Sequence, residues 1–257
     1  LTGDLASYGQ SVKNAVEFAA EQAGLENIEL VIEDSKCEGK EAASVINKLI
    51  NIDGVSAIVG ELCSGATLAA APIAEQSQVV LISPASTSPD VTDAGDYIFR
   101  TIPSDALQGA FAAQLVTASD LFRLAVIYTN DDYGQGFESV LQEEFPALGG
   151  EIVASEAVEQ GSTDVRTQLT KIRAASPDSI YIVSNSTAAT VAILKQINEV
   201  GLNAIAKFGS EGLRSPDIIE GAGVAAEGLI VSSVSVGSAD FITSYETRYG
   251  EKPGPFA

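Results

Sequence analysis

Histidine is absent from this sequence, which removes every mechanism that relies on an imidazole base, the Ser-His-Asp and Cys-His types included. The turn Gly209-Ser210-Glu211-Gly212 resembles the hydrolase elbow G-x-S-x-G only superficially, because its serine is not flanked in that pattern. No phosphate loop of the form G-x-x-x-x-G-K-[ST] and no G-x-G-x-x-G fingerprint occurs. Tyr133-Gly134-Gln135-Gly136 places two glycines at a helix start, too little to imply a dinucleotide. The pair Asp131-Asp132 reads as solvated loop charge. The thiols are Cys37 and Cys63 alone, so a tetrahedral zinc site would need two carboxylates, an uncommon structural set. Two buried free thiols and one disulfide are both open readings, and the second implies an oxidising compartment. These residues call for no cofactor, no metal and no reaction.

What remains is polar loops. Leu62-Cys63-Ser64-Gly65-Ala66-Thr67 and Ser83-Pro84-Ala85-Ser86-Thr87-Ser88-Pro89 each follow an apolar run and offer hydroxyls and backbone N–H groups near a helix start. That suits a small anion such as a carboxylate. Capping of their own helices by Ser64 and Thr87 is the competing use. Asn185-Ser186-Thr187 is formally a glycosylation sequon and is read as a loop on the pocket side.

The elements that must position these loops alternate along the chain. Strand-like runs are expected at Ile28–Glu33, Ala57–Val59, Val79–Ile82, Ile98–Ile102, Leu124–Tyr128, Glu151–Ala157, Ser179–Val183, Ala204–Phe208 and Leu229–Val234. Helical spacing fills Lys40–Ile50, Ala66–Gln76, Ala106–Leu121, Phe137–Phe145, Val165–Ala174 and Ala188–Val200. Near-continuous Val/Ile/Leu strands separated by helices require right-handed parallel crossovers. The fold class is therefore α/β, with doubly wound parallel sheets. Ligands of such sheets bind at the carboxyl ends of the strands.

The rhythm breaks at Arg100–Gly109, around Pro103, and again at Ser233–Ser238. The expected domains are a first lobe over 1–103, a second over 104–232, and a return over 233–257 towards the first. The chain is expected to be the interior of a longer one, incomplete at both ends. With 35 acidic and 14 basic residues the net charge is −21, which would repel a phosphate backbone and argues against nucleic acid as a partner. The charge is read as a solubility device, as in a saline habitat.

The chain resembles the type I periplasmic binding proteins, in particular the leucine/isoleucine/valine-binding branch of ABC importers. The resemblance lies in Leu1-Thr2-Gly3 with Tyr8-Gly9, Glu33-Asp34-Ser35-Lys36-Cys37, Gly60-Glu61-Leu62-Cys63-Ser64, Ile82-Ser83-Pro84-Ala85-Ser86-Thr87, Asn130-Asp131-Asp132-Tyr133-Gly134 and Gly209-Ser210-Glu211-Gly212. It implies a two-lobed monomer, periplasmic or extracellular and open to lipid anchoring, that closes about a hinge on a small aliphatic amino acid and presents it to a membrane permease. It further implies that Ser64, Thr87 and the Ala85 backbone, beside Ser86, take the α-carboxylate and part of the ammonium. Glu211 would pair with the ammonium, Tyr8 and Tyr133 would form aromatic walls, and Cys37 and Cys63 would be joined. Asn185 stands near a position where branched-chain binders carry a larger aromatic, a departure that leaves the side-chain preference open. The rival readings are a binder of an amide, urea or aromatic acid, and a sensory ectodomain of the same fold.

Overall fold

The structure is a computed structural model that describes residues 2–3, 5–24, 27–235 and 237–257. Of the stretches that carry the resemblance, Leu1 lies outside the described residues. The chain divides into two compact units, one of residues 1–103 with 234–257 and one of residues 104–233. No helix among the described residues is long and apolar enough to cross a membrane.

The first unit opens with helix α1 (Ala6–Gln22), a segment with no helical expectation from its residues. Helix α2 (Gly39–Asn51) follows, then strand β1 (Ala57–Val59), helix α3 (Ser64–Ser77), strand β2 (Val80–Ser83) and strand β3 (Ile98–Arg100). The three strands are parallel in the order β1-β2-β3. Apolar spacing on α2 turns Ile46 and Leu49 inward, where they meet Ala70, Ala71 and Ala74 of α3 and Leu81 of β2. The alanine face of α3 lets the two helices lie closely together, and Cys37 and Cys63 are joined by a disulfide with Cα atoms 5.4 Å apart.

Ile28–Glu33 is not a strand, contrary to its apolar alternation. A strand exists by pairing, and no described residue pairs with this one. Ile28, Leu30, Val31 and Ile32 are accordingly exposed, at 52%, 41%, 38% and 43%.

The second unit is a five-stranded parallel sheet. In chain order it comprises α4 (Asp105–Thr117), β4 (Arg123–Thr129), α5 (Asp132–Ala147), β5 (Glu151–Val158), α6 (Arg166–Ala174), β6 (Ser179–Val183), α7 (Thr187–Glu199), β7 (Ala206–Gly209), α8 (Pro216–Ala222) and β8 (Leu229–Val231). The strand order is β5-β4-β6-β7-β8. Every residue of β6 is buried, yet its pleat still sorts side chains by face. Ile180 and Ile182 join Leu169, Ile193 and Ile197 on one side, while Tyr181 and Val183 join Phe137, Leu141 and Val116 on the other. The sequence order reverses between β4 and β6, and in open α/β sheets that reversal opens a crevice at the carboxyl ends of the strands. The chain returns to the first unit with α9 (Ala239–Tyr249), where Phe18 of α1 meets Phe241 and Tyr249.

Candidate functional site

In the first unit the candidate residues lie just beyond β1 and β2. Ser64 is the first residue of α3, and the residue before it, Cys63, supplies no side-chain cap. The leading N–H groups of a helix have no partners within it, so they stay available to a ligand here. Ser64 Oγ, 2% exposed by residue, accepts from the Ser88 N–H at 3.2 Å. Ser86 is tied into the loop frame: its hydroxyl lies 2.7 Å from Thr67 Oγ1 and donates to the Glu61 and Leu62 carbonyls. The Ala85 N–H makes one long bond, 3.3 Å, to Ser83 Oγ. Arg100 fixes the loop from outside by donating to the Thr87 and Ser88 carbonyls at 3.1 and 2.8 Å. Thr87 Oγ1, by contrast, is buried without any hydrogen-bond partner, as is Ser88 Oγ. A buried polar atom left unpaired costs free energy, about 1–3 kcal/mol, and this hydroxyl can donate to an incoming group. Neither Ser64 nor Thr87 caps its own helix, so the competing use is not the one realised. Tyr8 sits in α1, buried at 9%, with its ring against Phe256.

In the second unit the candidates cluster beyond β4, β6 and β7. Asp131 caps α5 by accepting from the Gly134 N–H at 2.8 Å and takes a second bond from Asn185 Nδ2 at 3.1 Å. It is not the solvated loop charge its sequence context suggested: burial pushes its carboxyl above the ordinary aspartate range. Tyr133 is buried and donates to Ser210 Oγ at 2.8 Å. Burial raises its phenol far above the usual value, and the Glu211 and Asp105 charges add to this.

Glu211 opens a 3-10 turn, Glu211–Leu213, and is 2% exposed. Burial raises its carboxyl pKa, opposed by hydrogen bonds from Tyr133 and Gln108. The turn is fitted closely to its neighbour: a Cβ on Gly212 would lie 2.2 Å from the Ser184 carbonyl and 3.4 Å from Asn185 Cα. That close approach sets the turn carrying Glu211 against the backbone of Ser184 and Asn185. A second glycine, Gly134, is required in the same way, since a Cβ there would stand 2.0 Å from the Thr129 carbonyl. No basic side chain is among the groups that shift Glu211, and a buried carboxylate of this kind can receive a cation.

A protein-family model described as "Periplasmic binding protein" matches residues 1–257. The chain belongs to that family. It is 32% identical over 241 residues to the leucine-, isoleucine-, valine-, threonine- and alanine-binding protein of Pseudomonas aeruginosa, a match covering 90% of this chain and 64% of that protein. The chain thus spans a little under two thirds of that relative. Among solved structures it resembles the branched-chain amino acid transporter substrate-binding protein LivJ of Streptococcus pneumoniae in complex with isoleucine. The TM-score is 0.86 at 30% identity, over 99% of this chain and 76% of the other. It also resembles the leucine-binding protein LivK of Thermotoga maritima, with a TM-score of 0.88 at 29% identity over 99% of this chain and 75% of the other.

Within this periplasmic binding protein, three residues near Glu211 escaped sequence reasoning: Asp105, Gln108 and Ser232. Asp105 is wholly buried in the first turn of α4, and Gln108 Nε2 donates to Glu211 Oε2. The available signal was two polar residues, three apart, opening a helix otherwise rich in Ala, Leu, Phe and Val.

Proposed function

We propose that this chain is an extracytoplasmic solute receptor, not an enzyme, that captures a small aliphatic amino acid and delivers it to a membrane ABC permease. The observation that carries the ligand class is Glu211: a buried carboxylate supplied with hydrogen-bond donors and with no basic side chain among the groups that shift it. An α-ammonium group supplies the missing positive charge. In the first unit the uncapped start of α3, the Ser64 hydroxyl, the Ala85 N–H and the unpartnered Thr87 hydroxyl offer donors for the α-carboxylate. A desolvated zwitterion needs both charges satisfied, and charge-assisted hydrogen bonds are the strong ones. Tyr8 and Tyr133 then serve as aromatic walls, Asn185 borders the side chain, and Ser86 holds the loop. Capture is completed by hinge closure of the two units on the ligand. The receptor works as a monomer in the periplasm or outside the cell, with a lipid anchor as its means of attachment. The disulfide between Cys37 and Cys63 supports an oxidising location, and the net charge of −21 argues against nucleic acid as a partner.

A thermal-shift screen of the ligand-stripped chain against amino acids and their des-amino analogues tests this. A ligand at about a hundred times its dissociation constant adds about 2.7 kcal/mol, several degrees for a chain of this size. Shifts from leucine, isoleucine or valine that disappear with the des-amino analogues are expected. Equal shifts from both sets, or shifts only from amides, urea or aromatic acids, would overturn the assignment.

A further inference from the structure

Glu211 is held by a group that contributes no charge. Gln108 Nε2 donates to its Oε2, and the same amide nitrogen reaches the Ser232 carbonyl at 3.3 Å and the Ser232 hydroxyl at 3.2 Å. Ser232 is itself fixed. Its N–H donates to the Gly209 carbonyl at 2.9 Å, two residues before Glu211, and its Oγ lies 2.7 Å from the Tyr181 hydroxyl. Tyr181 is 0% exposed and its ring stacks on Phe137, with centroids 5.5 Å apart. The carboxylate is therefore oriented by α4, β6 and the end of β8 together, each anchored in the core. A lysine or arginine at position 108 would orient Glu211 equally well but would also neutralise it. An amide orients the carboxylate and leaves its charge for the ligand.

We infer that Gln108, braced by Ser232, is a positioning residue for amino-acid recognition that keeps the Glu211 carboxylate ionised and aimed at the ligand's α-ammonium. The inference rests on the reading of Glu211 given under Proposed function. The groups around this carboxylate are Asp105 of α4, Tyr133 of α5 and Tyr181 of β6, while the neighbouring Arg214 turns to the Ser233 hydroxyl at 3.4 Å. Burial opposes ionisation of Glu211, and the hydrogen bonds from Tyr133 and Gln108 count towards the ionised form. Loss of the Gln108 bond raises the carboxyl pKa further, and affinity that needs the ionised carboxylate is then lost at a higher pH on acidification.

The test is titration calorimetry of the full chain across pH, with an aliphatic amino acid and its des-amino analogue, for wild type, Gln108→Met and Glu211→Gln. Methionine keeps the length of the side chain and cannot donate. Gln108→Met is expected to weaken amino-acid binding about 10- to 100-fold, the effect of a lost hydrogen bond to a charged group. It should also move the acid limb of the affinity profile to higher pH and leave the analogue's affinity in place. Equal losses for both ligands, or an unmoved acid limb, would reduce Gln108 to a packing role and overturn the inference. Should Gln108→Met fail to fold, Ser232→Ala gives the same reading with a smaller change, and an unchanged ratio and acid limb there overturns it. If Glu211→Gln leaves the ratio of the two affinities unaltered, the underlying reading fails. If Glu211→Gln collapses that ratio while the Gln108 and Ser232 variants do not, only this inference falls.

Discussion

Under the proposed function, Glu211 stores a conflict that the ligand resolves. Its folded pKa is raised by burial, so the folded chain holds this proton more tightly than the unfolded chain does. The group's contribution to stability is therefore present below the ordinary glutamate value and is lost as pH rises through the raised value. At neutral pH, Glu211→Gln should raise the ligand-free Tm by about 2–4 °C, the response of a chain this size to about 1 kcal/mol. The gain should shrink in mild acid, which differential scanning calorimetry at two pH values checks. Thr87 makes the complementary case, because its hydroxyl is buried without a partner. Thr87→Val keeps the shape and removes the orphaned atom. The ligand-free Tm should hold or rise while amino-acid affinity falls about tenfold, the worth of about 1.4 kcal/mol; unchanged affinity would remove Thr87 from the binding set. At this scale the sequence showed Glu211 only through resemblance, and it showed Ser64 and Thr87 as loop hydroxyls with capping and anion binding both open, since no local pattern says that a loop hydroxyl will lack a partner. It did not show Gln108, whose role depends on Ser232 and Glu211, more than a hundred residues away in the chain.

At the scale of elements, the placement of Glu211 depends on a glycine that lets its turn sit against the end of β6. Gly212→Ala would drive a methyl group into the Ser184 carbonyl. Backbone cannot give way as a flexible side chain can, so a loss of about 1–3 kcal/mol is expected, with weaker binding because the turn carrying Glu211 must shift. Chemical denaturation paired with a ligand titration checks both effects; unchanged values for each would mean the turn has slack that the close approach denies. Most elements were legible because hydrophobic period decides them locally: β6 has the bounds expected of it, and α2, α3 and α7 differ by a few residues at their ends. Two kinds were not. Helix α1 begins at Ala6, Leu5 before it supplies no side-chain cap, and its first turn has no acidic residue, so the usual start signals are missing. Ile28–Glu33 carries the alternation of a strand, but pairing is a nonlocal fact that alternation cannot supply.

For the whole molecule, the charge of −21 is a self-repulsion that works against the compact state. The ion pairs among described residues join partly exposed side chains, such as Arg123 with Glu151 and Arg166 with Glu199, and such pairs are worth little. Screening should therefore relieve more repulsion than it removes attraction. Raising sodium chloride from about 0.01 M to about 0.5 M, which shortens the screening length from about 30 Å to a few ångströms, should raise Tm; a fall would mean the ion pairs outweigh the net charge. The division into two units, with the chain crossing near Pro103 and again near Ser233, gives each unit its own sheet and its own share of the donors and acceptors proposed for the ligand.

Under the proposed function, this chain reads the ammonium group of an amino acid through Glu211. The most direct test is a thermodynamic cycle by calorimetry, in which wild type and Glu211→Gln are each titrated with isoleucine and with its des-amino analogue. Wild type is expected to prefer the amino acid by about a hundredfold or more, and the preference should nearly vanish in Glu211→Gln. A preference that survives the substitution intact would contradict that reading.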